Sequence, residues 1–81
     1  MKVLTSSGVA NLTLANIIAN ERKAIGNHVV ECFKAKESID KIQDYILKAD
    51  NDLKLFIQTI TDNQDLTLIQ DSKTGRYSVA Q

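Results

Sequence analysis

The chain of 81 residues has no proline, no tryptophan, three glycines and one cysteine. Cys32 on its own excludes a disulfide within the chain, and with a single histidine it also excludes a self-contained Cys/His zinc site. A domain this small buries only about 60% of the surface that its unfolded chain exposes. Its stability must therefore come from dense helix packing or from oligomerisation.

The chain also lacks an excess of charge, since ten basic residues are matched by ten acidic ones. Zero formal charge gives no strong electrostatic attraction to nucleic acid or to an anionic membrane. Residues 1–8 are too polar for a secretory signal peptide, and no apolar run approaches the ~20 residues that span a bilayer. We therefore expect a cytoplasmic protein that does not bind membranes.

Against these absences stands a heptad repeat of apolar residues. One series holds Ile18, Ile25, Cys32, Ile39, Ile46, Leu53 and Ile60, and a second series of Ile42, Ala49 and Phe56 joins it from Ile39 onward. Alternating steps of three and four residues are typical of the seam of a helix that packs along another helix. The seam therefore predicts a surface that contacts another segment or another copy of the chain.

The seam has two interpretations. In the simpler one, two helices of the same chain fold together and the seam is their shared core. However, Leu47, Leu55 and Ile57 lie off the stripe, and an apolar arc that wide is buried on several sides. We therefore favour self-association and predict an interface formed by Ile39, Ile42, Ile46, Ala49, Leu53, Phe56, Ile57 and Ile60.

Residues 9–62 form the predicted helical region, which is too long for one helix in so small a domain. Gly26-Asn27 is the best candidate for a break, because glycine favours the residue after a helix and asparagine caps the next one. The competing interpretation is a helix that continues through Gly26 at a cost of about 1 kcal/mol. Residues 37–38 and 50–52 are further candidates for the break.

The two ends of the chain carry strand patterns. Residues 66–80 combine a β-prone run, a turn around Gly75 and an alternating run, which together predict a β-hairpin. Residues 1–8 are a short strand or a tail, and a strand there could join the hairpin. We thus predict one domain over residues 1–81 of small, mainly helical α+β class, with two or three helices packed as a hairpin or bundle.

His28, Glu31 and Cys32 share one helix face and could ligate a metal completed by a second chain. The commoner interpretation is a polar layer with Cys32 buried as a small hydrophobe. No spacing indicates a catalytic nucleophile, a phosphate loop or a cofactor motif. We therefore predict no catalytic residues, no cofactor and no enzymatic activity.

The leading hypothesis is a non-enzymatic, self-associating protein that acts through protein contacts as an adaptor, chaperone or inhibitor. A less favoured alternative is a nucleic-acid-binding regulator, whose contacts would be basic side chains in the first half: Arg22, Lys23, Lys34, Lys36 and Lys41. A third hypothesis is an oligomer that binds a small anionic ligand between subunits, gripped by Arg22 and Lys23 or by Arg76 and Tyr77.

Overall fold

A computed structural model describes residues 1–80, which form two helices and a four-stranded sheet. The elements in chain order are β1 (Lys2–Thr5), β2 (Gly8–Asn11), α1 (Leu14–Lys34), α2 (Ile39–Asp62), β3 (Thr67–Gln70) and β4 (Tyr77–Val79). The prediction of a small, mainly helical α+β protein is confirmed at this level, and the helix number is two.

The sheet has the strand order β2-β1-β3-β4. Two antiparallel hairpins, β1–β2 and β3–β4, are joined side by side through the parallel pair of β1 and β3. Both helices lie in the connection between the hairpins. In the centre of the sheet Val3 stands opposite Leu68, and both side chains are fully buried. The N-terminal strand therefore joins the C-terminal hairpin, which the sequence left open.

Strand β2 corrects the predicted extent of the helical region, which was placed at residues 9–62. Gly8–Asn11 is extended, and α1 begins only at Leu14, after Thr13 caps it by accepting a hydrogen bond from the Asn16 N–H at 3.1 Å. Val9 and Asn11 are exposed, so β2 carries no strong alternating pattern. Its structure comes instead from pairing with β1 across a turn that ends at Gly8, whose φ of +123° suits glycine.

The expected break at Gly26-Asn27 does not form, because α1 continues through both residues to Lys34. The break lies between the two helices at residues 35–38, where Lys36 has a left-handed φ of 56°, and it includes the predicted candidate at residues 37–38. Ser38 then caps α2 by accepting a hydrogen bond from the Lys41 N–H at 3.3 Å. Residues 50–52 likewise lie inside α2. The competing interpretation, in which the helix continues through Gly26, is therefore the correct one.

Two groups of buried side chains hold the domain together. The sheet-side cluster joins the sheet to the nearer ends of both helices and consists of Val3, Ile17, Ile60, Leu68 and Tyr77. The helix-side cluster lies between the helices farther from the sheet and consists of Ile25, Ala49 and Leu53. Phe56 packs against both, so the two clusters form one continuous core.

Candidate functional site

An apolar groove runs between α1 and α2 beside the helix-side cluster. It has a volume of about 490 Å³. Its lining is Ile25, Gly26 and Val29 from α1 and Ile46, Leu53 and Ile57 from α2, with Arg22, Asp50 and Lys54 also bordering it. We call this surface the helix groove. A concave, mainly apolar surface with a few charged groups has the character of a binding site.

Gly26 helps to explain why the helix groove is open. Gly26 is exposed, and a Cβ added there would meet no other atom within 4 Å, so no side chain at this position fills the groove that it lines. On the α2 side Ala49, with its short side chain, is buried between the helices. Small residues let helices approach but fill little volume.

The apolar surface continues past the end of the helix groove. Phe33 lies one helical turn after Val29 and is 54% exposed, and Ile39 lies two turns before Ile46 and is 58% exposed. Residues at these spacings share a helix face. The groove and its two exposed neighbours therefore form a longer apolar surface than the lining alone.

The structure divides the predicted interface residues into two groups. Ile42, Ala49, Leu53 and Ile60 are buried within the chain, as the intramolecular interpretation of the seam requires. Ile46, Phe56 and Ile57 are half-buried, and Ile39 is exposed. Half of the predicted interface thus belongs to the chain's own core, while Ile39, Ile46 and Ile57 remain on the surface of the helix pair. Whether they meet a second copy stays a prediction.

The predicted metal ligands lie near the middle and end of α1. His28 and Glu31 are exposed, and Cys32 is half-buried. The His28 ring packs against Tyr45 of α2, with 4.4 Å between the ring centroids. Within residues 1–80 no three His, Cys, Asp or Glu side chains are placed to hold one metal ion. A site completed by a second chain stays a prediction.

The four predicted ligand-binding residues separate in the structure. Arg22 borders the helix groove, whereas Lys23 lies outside it and faces the β3–β4 loop. Tyr77 is buried, and its hydroxyl accepts a hydrogen bond from Asn20 Nδ2 at 2.8 Å. Arg76 donates from Nε to a carboxylate oxygen of Glu21 at 3.0 Å. Arg76 and Tyr77 therefore have structural contacts within the chain.

Glu21 is the residue that the sequence interpretation missed. It is 1% exposed, and its second carboxylate oxygen accepts the backbone N–H of Tyr77 at 2.7 Å. Its place in the sequence carried a signal, since Glu21 lies four residues from both Ile17 and Ile25 and so falls within the apolar face of α1. A buried carboxylate needs such partners because desolvation of an unpaired charge is costly.

Glu21 also protects the outer edge of the sheet. Strand β4 is an edge strand, and an unpaired edge offers free N–H groups to other chains. The carboxylate occupies one of these groups at Tyr77, while the ion pair with Arg76 fixes the start of β4 on α1. The hairpin is therefore fastened to the helix by polar contacts as well as by the core.

The basic residues considered for nucleic acid do not gather into one patch free of acidic neighbours. Lys34 lies 3.8 Å from Glu31, and Lys41 lies 3.8 Å from Glu37. All four side chains are exposed, so these pairs add little stability but reduce the local positive charge. In the described chain neither helix is long and apolar enough to cross a membrane.

Comparison of the chain with protein-family models, with curated proteins and with solved structures gives no match. The functional inference therefore rests on the surface of the molecule itself.

Proposed function

We propose that this protein is a non-enzymatic binding protein that self-associates through the helix groove. The observation that supports this most directly is the apolar surface formed by the groove together with Phe33 and Ile39, both more than half exposed. Large exposed apolar patches on small proteins mark contact sites. We place its action in the cytoplasm, as an adaptor, chaperone or inhibitor that works through protein contacts.

A second copy is the occupant that the charges around the helix groove favour. Arg22 and Lys54 supply positive charge at its border, and Asp50 supplies negative charge. When a surface packs on a copy of itself about a two-fold axis, each contact occurs twice with the roles exchanged. A border with both signs can then pair Arg22 of one copy with Asp50 of the other. A partner of strong single-sign charge would instead meet like charge.

The size of the chain supports the same proposal. A small domain without disulfides or a metal gains stability by covering apolar surface with another subunit. Phe33 and Ile39 are more than half exposed and share helix faces with the groove residues Val29 and Ile46. Burying such side chains stabilises a complex by roughly 25 cal/mol for each Å² of apolar surface.

The experiment measures mass by light scattering coupled to gel filtration, with the protein at micromolar concentration. We expect the wild type to be a dimer and the variant Ile39→Gln to shift toward monomer. Gly26→Gln should act similarly, because its side chain enters open space in the free chain but occupies the groove that the second copy needs.

The matched control is Leu55→Gln. Leu55 is 62% exposed, close to the 58% of Ile39. It lies nine residues after Ile46 and so faces the opposite side of α2, whereas Ile39 lies seven residues before Ile46 and shares its face. Leu55→Gln should stay dimeric. A monomeric wild type, or equal dissociation by Leu55→Gln and Ile39→Gln, would show that the helix groove is not the contact. Far-ultraviolet circular dichroism of each variant establishes that its helices are intact.

A further inference from the structure

A second cleft lies on another side of the molecule, where the loop between β3 and β4 meets the helices. It has a volume of about 260 Å³. Its walls include Asn27 and His28 of α1, Tyr45 of α2, and Lys73, Thr74 and Arg76 of the loop. Ala24 also lines it, and this short side chain leaves room above the helix. The cleft thus collects polar donors and two aromatic rings in a small space.

The loop that bears Lys73 and Thr74 has a defined conformation. The Asp71 carboxylate accepts the backbone N–H of Lys73 at 2.7 Å and that of Thr74 at 2.9 Å. These two hydrogen bonds lower the pKa of Asp71, and the one from Thr74 has the larger effect. The Gly75 N–H closes the turn on the Asp71 carbonyl at 2.8 Å, with φ of +76° at Gly75. The loop therefore presents its side chains without first having to become ordered.

Arg76 is held in one orientation by the buried carboxylate of Glu21. Only Nε takes part in that contact, and a guanidinium has five N–H donors. Within residues 1–80 the Arg76 side chain makes no other hydrogen bond, although only 32% of its surface is exposed. The remaining donors of Arg76 are thus available at the wall of the cleft.

A smaller depression adjoins the cleft and adds a third cation, Lys23. The two depressions share Ala24, Asn27 and Thr74, so they meet at the same part of the loop. Neither Lys23 nor Lys73 forms a salt bridge within the described chain. Glu31, the one carboxylate in the lining, lies 3.8 Å from Lys34. Counting Lys23, Lys34, Lys73 and Arg76 against Glu21, Glu31 and Asp71 leaves a net local charge of about +1, while the whole chain is neutral.

We propose that this cleft binds a small phosphate monoester whose organic part is an aromatic ring system. Donors approach from α1 and from the loop, which suits a tetrahedral group with several oxygens better than a planar carboxylate. A phosphate monoester carries a charge of about −1.5 to −2, which Lys23 and Lys73 can oppose together with the remaining N–H donors of Arg76. The rings of His28 and Tyr45 offer an aromatic surface for the organic part. A nucleoside monophosphate is the simplest compound of this class.

The experiment is calorimetric titration of the full chain with adenosine monophosphate, inorganic phosphate and adenosine, each followed by amide shifts in nitrogen-15 spectra. We expect the nucleotide to bind most tightly, to lose affinity as salt rises, and to shift the amides of Asn27, His28 and Thr74. Lys73→Gln should lower the affinity roughly tenfold, the effect of losing one charge-assisted hydrogen bond.

The matched control is Lys2→Gln, which removes one exposed lysine from β1, outside both depressions, and should leave the affinity unchanged. Equal affinities of the Lys73→Gln and Lys2→Gln variants would overturn the assignment. The assignment would also be overturned if neither the nucleotide nor inorganic phosphate bound at concentrations up to about 10 mM. Inorganic phosphate that binds as tightly as the nucleotide would overturn the role given to the aromatic rings.

Discussion

The half of the helix pair next to the sheet and the half beyond it are built from the same apolar repeat. They differ in how much of their apolar surface is covered. Next to the sheet, Ile17 and Ile60 are fully buried under Val3 and Leu68. Beyond the sheet, α1 and α2 cover each other on one side only, and the helix groove stays open. The central seam residues are therefore buried in both halves, but the sheet adds a second layer of cover in one half only.

The β3–β4 loop explains why the outer half is open on one side and not on the other. Lys73, Thr74 and Arg76 reach over α1 toward Tyr45 and form the smaller cleft there. No strand or loop lines the helix groove, whose residues all belong to the two helices. The helix groove, which has no strand or loop beside it, is therefore the place where a partner would supply the missing layer.

Shortening buried side chains should produce the largest difference in stability between the two halves. Ile60→Ala is expected to lower the free energy of unfolding by about 3–5 kcal/mol, because a fully buried site leaves a cavity. Leu53→Ala should cost less, about 2–3 kcal/mol, because the adjacent groove already leaves its surroundings loosely packed. Urea denaturation at one fixed protein concentration measures both. Equal losses would show that the halves are packed alike.

The next effect concerns the polar link between the sheet and α1. Glu21→Ala should cost about 2–3 kcal/mol, because the Tyr77 N–H loses its acceptor and Arg76 loses its partner. Glu21→Gln should cost less, since an amide oxygen can still accept from Tyr77. The control Glu37→Gln alters an exposed ion pair and should change stability by less than about 0.5 kcal/mol. A similar loss for Glu37→Gln and Glu21→Gln would contradict the structural role of Glu21.

A smaller effect of opposite sign is expected at the helix groove. Gly26→Ala should stabilise the free chain by about 0.5–1 kcal/mol, because alanine favours the helix and the added Cβ meets open space. Thermal denaturation measures the gain, at a protein concentration low enough to keep the chain monomeric. Gly75→Ala serves as the contrast, since the φ of +76° should make that substitution destabilising. If Gly26→Ala were destabilised, the added Cβ would be meeting other atoms, and the groove would not be open at Gly26.

The smallest effect should appear in the β3–β4 loop as a dependence on pH. Hydrogen bonds from Thr74 and Lys73 lower the pKa of Asp71, so its carboxylate stabilises the folded loop above the ordinary aspartate pKa of about 3.9. That contribution is lost as the pH falls through the lowered pKa. Wild type should therefore unfold at a higher temperature than Asp71→Asn at neutral pH, and the difference should vanish in strong acid. A constant difference at every pH would exclude the carboxylate charge as its source.

Much of the fold could be predicted because local patterns agree with the structure in several places. The turn residues before Gly75 predicted the C-terminal hairpin, and the heptad repeat predicted helices that pack along each other. Strand β2 was missed because its side chains are mostly exposed and only its pairing with β1 makes it a strand. Gly26 was misinterpreted as a break because propensity favours one there, whereas tertiary packing holds the helix through it.

The candidate sites were less predictable, since they depend on which elements meet. Ile39 and Ile46 could be recognised as seam residues, but only the fold shows that Ile39 is exposed and Ile46 half-buried. Lys73 carried no signal, because nothing in the sequence states that the loop turns toward α1. Arg76 was predicted to hold a ligand, whereas its first contact is with Glu21, whose burial depends on β4.

Local patterns of residue types were enough to predict the helix-packing seam and the hairpin, and the cysteine count was enough to exclude a disulfide within the chain. The assembled fold was needed to show that β1 pairs in parallel with β3, that Glu21 is buried against β4, and that the sheet covers one end of the seam but not the other. The first two features join residues more than 50 positions apart, such as Val3 with Leu68 and Glu21 with Tyr77. No local pattern encodes such contacts, since they depend on how much apolar surface each layer can cover once the elements assemble.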